Sequence, residues 1–156
     1  MKTVFFTGHR KIENDKETIQ KLMATLRKLM SEGASDFYAG GALGWDMLCE
    51  EAVIVFRENL APHIKLHLIL PCPPEEQIAH WSAFDKEVYR KIFEAADSVE
   101  VLSERYTNDC MKNRNARLAE LGDVCVCYYD ENRRRSGTAQ TVRMAEKLGK
   151  GILNMK

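Results

Sequence analysis

No apolar run in this 156-residue chain approaches the 18 residues that a helix needs to cross a bilayer, so a helical membrane span is not expected. An excess of one charge is also missing, since 23 Lys and Arg stand against 23 Asp and Glu. Such a balance supplies no overall field to hold a polyanion; it disfavours nucleic acid as a partner, although a local basic patch is still compatible with it. The five cysteines, an odd number, include no C-x-x-C pair, and the histidines His9, His63, His67 and His80 lie on separate segments without an H-E-x-x-H. No metal site is therefore expected, and small buried thiols explain the cysteines better than disulfides do. Cys72 has no identifiable histidine partner and reads as a loop residue rather than a nucleophile. A signal-peptide h-region is absent after Met1, where the chain runs straight into Thr3-Val4-Phe5-Phe6; this is the expectation for a cytoplasmic protein. Repeats, linkers and low-complexity tracts are lacking too. The length suits a single domain over residues 1–156, able to bury about two thirds of its unfolded surface.

What is present is alternation. Residues 3–6 pattern as a strand, and residues 15–32 carry Ile19, Leu22, Met23, Leu26, Leu29 and Met30 at the spacing of an amphipathic helix that Gly33 ends. Strand patterns recur at 36–39, 65–70, 98–102, 124–129 and 152–153. Between them lie helical patterns at 44–59, 75–96 (in two pieces broken near Ser82), 109–121 and 138–148. Strands separated by helices imply right-handed crossovers, and hence an α/β Rossmann-like three-layer sandwich with a mostly parallel sheet and helices on both faces. Cys125 and Cys127 should share one face of their strand.

In such a sheet the carboxyl ends of the strands line one edge, and ligands bind in the crevice there. That edge is unusually polar. The first strand ends in Thr7-Gly8-His9-Arg10, and the second in Gly40-Gly41-Ala42-Leu43-Gly44-Trp45-Asp46. The third runs into Pro71-Cys72-Pro73-Pro74, and the fifth into Tyr129-Asp130 followed by Arg133 to Arg135 and Ser136-Gly137-Thr138. The glycine run opens a helix. Glycines let backbone N–H groups approach an anion, and the first helical turn adds unpaired donors and the positive end of its dipole. The spacing is not the G-x-G-x-x-G of dinucleotide folds, so a tight turn without a ligand is an equal alternative.

Taken as an ordered set, Thr7-Gly8-His9-Arg10, Gly40-Gly41-x-x-Gly44-x-Asp46, Leu70-Pro71 with Gln77 and Trp81, Cys110-Met111-x-x-Arg114-Asn115 and Ser136-Gly137-Thr138 resemble the YpsA-like branch of the SLOG superfamily. The resemblance covers nearly the whole chain. It implies a Rossmann-like fold shared with the LOG phosphoribohydrolases and the DNA-processing protein DprA, and binding or sensing of a nucleotide or nucleotide-derived ligand such as an ADP-ribose-like molecule, with no established reaction. No cofactor follows beyond that phosphorylated ligand, and the catalytic residues stay unknown.

On this reading Gly8 turns the chain at the rim while His9 and Arg10 meet a ribose or phosphate, against the alternative that Arg10 pairs with Glu13 and His9 caps backbone. Gly40, Gly41, Gly44, Gly137 and Thr138 hold phosphates, and Arg10 and Arg114 neutralise them. Asp46 and Asn115 read sugar hydroxyls, although Asp46 also suits a helix N-terminus electrostatically. Ser136 or Thr138 caps the last helix, with one of the three arginines reaching the ligand. Trp81 either stacks on a base or fills the core, and Gln77 is a weaker ligand contact. The competing enzyme reading is N-glycosidic cleavage of nucleoside monophosphates. The LOG motif would need a carboxylate after Gly137-Thr138-Ala139-Gln140, but Thr141 stands there, and a hydroxyl cannot stabilise oxocarbenium charge. Asp46 or Asp130 is the available substitute. Single-stranded DNA handling would want a basic groove with aromatic platforms, which zero net charge does not favour. Self-association is left open.

Overall fold

A computed structural model describes residues 2–13 and 15–156. The chain opens with β1 (Lys2–Gly8), then α1 (Lys16–Ser31), β2 (Ala34–Ala39), α2 (Trp45–Asn59) and β3 (Lys65–Leu70). It continues through α3 (Pro74–Gln77), α4 (Ala83–Ala95), β4 (Ser98–Val101), α5 (Cys110–Leu121), β5 (Val124–Tyr128), α6 (Gly137–Lys147) and β6 (Gly151–Asn154). All neighbouring strands pair in parallel, in the order β4-β3-β2-β1-β5-β6. The chain winds outward from β1 to β4, returns past β1 to β5, and leaves the sheet at β6. The switch point is therefore the boundary between β1 and β5.

Each helix forms for a local reason. The Asp15 carboxylate caps α1 by accepting from the Thr18 N–H at 2.8 Å, and Leu22, Leu26 and Leu29 form its buried stripe. Gly33 closes it at φ +100°. The break expected near Ser82 is real: its hydroxyl caps α4 by accepting from the Asp85 N–H at 3.1 Å. Ser136 caps α6 in the same way, accepting from Ala139 at 3.0 Å, so that helix begins at Gly137.

The sheet carries a core on each face. Val4 and Phe6 point with Val126 and Tyr128 into the side packed by α1, α2 and α4. Phe5, Cys125 and Cys127 point the other way, against Leu118 and Ala119 of α5 and Val142 and Ala145 of α6. Burial on both faces is why these strands read as apolar runs rather than as alternations. The second face is built from smaller side chains. The two outer strands, β4 and β6, are only four residues long each. Among the described residues, no helix is long and apolar enough to cross a membrane, and no three His, Cys, Asp or Glu side chains gather as a metal site.

Strand β1 outruns its apolar run because Thr7 and Gly8 pair with Cys127 and Tyr128 of β5. Two rim glycines are explained by crowding there. A Cβ on Gly8 would collide with the Trp45 side chain, and one on Gly44 with the Arg10 and His9 carbonyls, where Gly44 also holds φ +81°. The β1 loop and the start of α2 are thus pressed together, and the Trp45 N–H donates to the His9 carbonyl at 3.2 Å. Gly44→Ala should lower the urea-unfolding free energy by about 3 kcal/mol, through backbone strain together with the collision. Gly33→Ala, at a site with open space around it, should lose only about 1 kcal/mol. Equal losses in the two variants would show that the close approach at Gly44 contributes nothing.

Candidate functional site

At the carboxyl edge, over the switch point, lies a cavity of about 510 Å³. The end of β1 contributes Thr7, His9, Arg10 and Lys11 to it. Asp46 of α2 and Met111, Arg114 and Asn115 of α5 form the middle of its wall, and Arg133, Ser136, Gly137 and Thr138 close the far side. The volume suits a small-molecule ligand. Eight of the residues singled out from sequence meet there: His9, Arg10, Asp46, Arg114, Asn115, Ser136, Gly137 and Thr138.

Gly8, Gly40, Gly41 and Gly44 do not line it, and the glycine run has a different local role from an open phosphate cradle. Several of its backbone donors are already engaged. The Gly41 N–H donates to Glu50 Oε2 at 3.0 Å and the Ala42 N–H to Asp46 Oδ2 at 3.3 Å. The Gly40 carbonyl accepts from Arg114 Nη1 and from Gln77 Nε2. A Cβ at Gly40 would strike the Arg114 guanidinium, so glycine is required there by the arginine.

Behind the cavity wall this produces a buried charge cluster. Arg114, Asp46 and Glu50 are exposed by only 5%, 5% and 1%. Asp46 and Glu50 stand one helical turn apart on α2, facing one guanidinium, and isolated burial of either charge would be costly. Burial pushes the Asp46 carboxyl up to about 6, against the pull of Arg114. Burial and the adjacent Asp46 push Glu50 well above the usual carboxylate range. The shift biases Glu50 towards its protonated form, which eases the burial of two acids beside one guanidinium. Arg114 is further held by the Asn115 side chain, which accepts from its Nε at 2.7 Å.

The other side of the cavity is less occupied. The Ser136 hydroxyl caps the last helix, but the N–H groups of Gly137 and Thr138 have no hydrogen-bond partner among the described residues. Arg133 reaches the cavity wall, whereas Arg134 and Arg135 border a neighbouring groove without lining the cavity. His9 is buried, and its Nε2 accepts from the Asp130 N–H at 2.9 Å, which leaves Nδ1 as the donor of a neutral ring. Burial, followed by Arg133, lowers its proton affinity and keeps it neutral.

Several sequence-level candidates fall elsewhere. Thr141 is fully buried and donates to the Gly137 carbonyl at 2.8 Å, away from the cavity lining. Gln77 spends both ends of its amide on the fold, donating to Gly40 at 3.2 Å and accepting from the Tyr89 hydroxyl at 3.3 Å. Cys72 is buried with its thiol pushed up to about 11, chiefly by burial, and so stays protonated at neutral pH. Glu50 was not anticipated. The signal was present: an acid four residues after Asp46, on the same helix face and inside the apolar stripe of Met47, Cys49, Ala52 and Val53.

The sheet order and this edge define a Rossmann-like α/β protein. A comparison with known families then gives the family: the profile of the YspA SLOG family matches residues 3–152, and the chain belongs to it. It is similar to UPF0398 protein ABC2016 of Shouchella clausii, 32% identical over 135 residues, spanning 85% of this chain and 69% of that protein. Similarity extends to the SPbeta prophage-derived protein YoqJ of Bacillus subtilis, 29% identical over 140 residues, 81% of this chain and 79% of that one. Among solved structures, the fold resembles DNA processing protein A from Helicobacter pylori, described for its single-stranded DNA binding mode, with a TM-score of 0.65 at 22% identity. The match covers 97% of this chain but only 63% of that one. TM1055 has the same fold at a TM-score of 0.60 and 22% identity, with 97% and 72% covered. At these identities the likeness is one of fold.

The raised Asp46 carboxyl has a measurable sign. Its folded value near 6 lies above its ordinary 3.8, so the stability it contributes is full below about pH 4 and is lost as pH rises to 6. Between pH 4.5 and 6.5, wild-type protein should lose about 2 kcal/mol of urea-unfolding free energy from this group. Asp46→Asn should lack this contribution and keep only the slope that the other titrating groups give. A wild-type curve parallel to that of the variant would refute the raised value.

Proposed function

We propose that the switch-point cavity binds a nucleotide or nucleotide-derived ligand through its phosphate, and that the protein acts as a binder or sensor of that ligand. The observation that carries this reading is the convergence of two unpartnered amides, Gly137 and Thr138, with Arg10 and Arg133 on one cavity. A helix N-terminus with free donors and nearby guanidinium groups is suited to a phosphate dianion. His9, neutral with Nδ1 as donor, and Asp46 and Asn115 on the same wall are matched to sugar hydroxyls. The glycine run supports the reading indirectly, by letting Arg114 pack against the Gly40 carbonyl and hold the α5 side of the wall. Membership of the SLOG family, together with folds like that of DprA, is consistent with a nucleotide-type ligand.

The test is thermal unfolding of the full chain with adenosine monophosphate, ribose 5-phosphate and a short single-stranded oligonucleotide. A ligand at 100 times its Kd adds about 2.7 kcal/mol to stability. Adenosine monophosphate should raise the transition, and Gly137→Asp should abolish the rise. That substitution places a carboxylate where the phosphate belongs, yet an acid at this helix position is otherwise favourable, and a Cβ there meets only Asn115 Nδ2 at 3.7 Å. Stabilisation by the oligonucleotide alone would replace this reading with DNA binding of the kind that the Helicobacter protein is named for.

A second reading is favoured by one feature: a carboxyl near 6 on the cavity wall is matched to general acid work at neutral pH. Asp46 would then serve N-glycosidic cleavage in place of the carboxylate that Thr141 does not supply. Release of free base from nucleoside monophosphates, lost at least 100-fold in Asp46→Asn, would establish it. Binding without base release leaves the sensor reading in place.

A further inference from the structure

A second cavity, of about 850 Å³, opens beside the first, and the two share Arg10 and Met111 as walls. Their linings differ in kind. The first has cationic side chains and helix amides, whereas the second has the aromatic rings of Trp81 and Tyr106 and the carboxylates of Glu76 and Asp85. We propose that this second cavity is a nucleobase subsite, and that the ligand is an amino-substituted purine mononucleotide with its phosphate at α6 and its base beside Trp81 and Tyr106. The inference rests on the phosphate site argued above and adds the other half of the ligand.

Three observations carry it. The first is that the aromatic residues are placed rather than merely left over. Trp81 is half-buried and meets Tyr89 in a T-shaped contact at 5.5 Å, so its ring is held in position. Tyr106 is 56% exposed, large and apolar for such a site, while its backbone N–H is tied to Glu76 Oε1 at 3.3 Å. Flat heteroaromatic rings stack on such side chains whatever their sequence context. The second observation is the charge. Glu76 and Asp85 disfavour a phosphate group in the part of this cavity away from Arg10, so the phosphate is assigned to the first cavity. The same oxygens accept hydrogen bonds, so they match an exocyclic amino group and not a ring oxo group. The third is continuity: a single ligand can pass Arg10 and Met111 without leaving the protein surface, which fits a sugar spanning the two halves.

Isothermal titration of the full chain with adenosine monophosphate, purine riboside monophosphate (which lacks the amino group and has no N1–H), ribose 5-phosphate and adenosine diphosphate tests the assignment. Adenosine monophosphate should bind at least ten-fold more tightly than ribose 5-phosphate, and purine riboside monophosphate more weakly than adenosine monophosphate. Trp81→Ala should weaken adenosine monophosphate about ten-fold while leaving ribose 5-phosphate unchanged. Tyr106→Ala, at an exposed position, is expected to act in the same direction and serves where the tryptophan variant does not fold. Equal affinity for adenosine monophosphate and ribose 5-phosphate, insensitive to both variants, would overturn the base subsite and leave the phosphate reading intact. Tighter binding of the diphosphate would overturn the single-phosphate assignment. Failure of all four probes to bind would overturn both readings together.

Discussion

The carboxyl edge of this protein depends on a single buried guanidinium. Arg114 reaches from α5 across the sheet edge to the Gly40 carbonyl, beside Asp46 and Glu50 of α2. Breaking such a cluster by removing one partner leaves an uncompensated charge and costs about 3–5 kcal/mol. The cluster connects helices that lie on opposite faces of the sheet, so it joins the two layers at the point where the cavity opens. It also imposes its needs on the neighbouring chain. The arginine occupies the space beside Gly40, and the acids occupy the amides of Gly41 and Ala42. The glycine-rich run and the buried arginine are two consequences of one packing constraint.

Much of the architecture was legible before any coordinates. Helix and strand periods differ enough that the alternation could be read directly, and β3 falls on residues 65–70 as expected. Parallel winding then forces the strand ends together, which is why His9, Asp46, Asn115 and Thr138, far apart in sequence, share one cavity. Cys125 and Cys127 share the α5 and α6 face, as their spacing required. What could not be read was who fills the space that a glycine leaves. Gly40, Gly41 and Gly44 signal close approach, but the approaching groups are Arg114, Leu70 and the Arg10 carbonyl, which only the assembled fold brings near. Glu50 was hidden for a related reason, since an acid within an apolar stripe reads as tolerated exposure until its partner is known.

The polar edge is divided rather than uniform. Cationic groups and free amides collect where α6 begins, and acidic and aromatic groups collect above α3 and α4. A net charge of zero therefore conceals two local fields of opposite character. Composition averages over the surface, and a ligand meets only one part of it. This is also why the balance of charge in the sequence is a poor guide to which anion could be held at the switch point.

The brevity of β4 and β6 sets a boundary on growth. A long, flat outer strand offers a row of unsatisfied backbone groups to which another chain can add. Here each margin presents only four residues, and on β4 the side chain of Glu100 is clasped by Arg117 at 3.0 Å, leaving a charged obstacle in the middle of the margin. Margins this short give an added strand few backbone groups to pair with, which makes both ends of the sheet weak templates for its extension although the sheet never curls into a barrel.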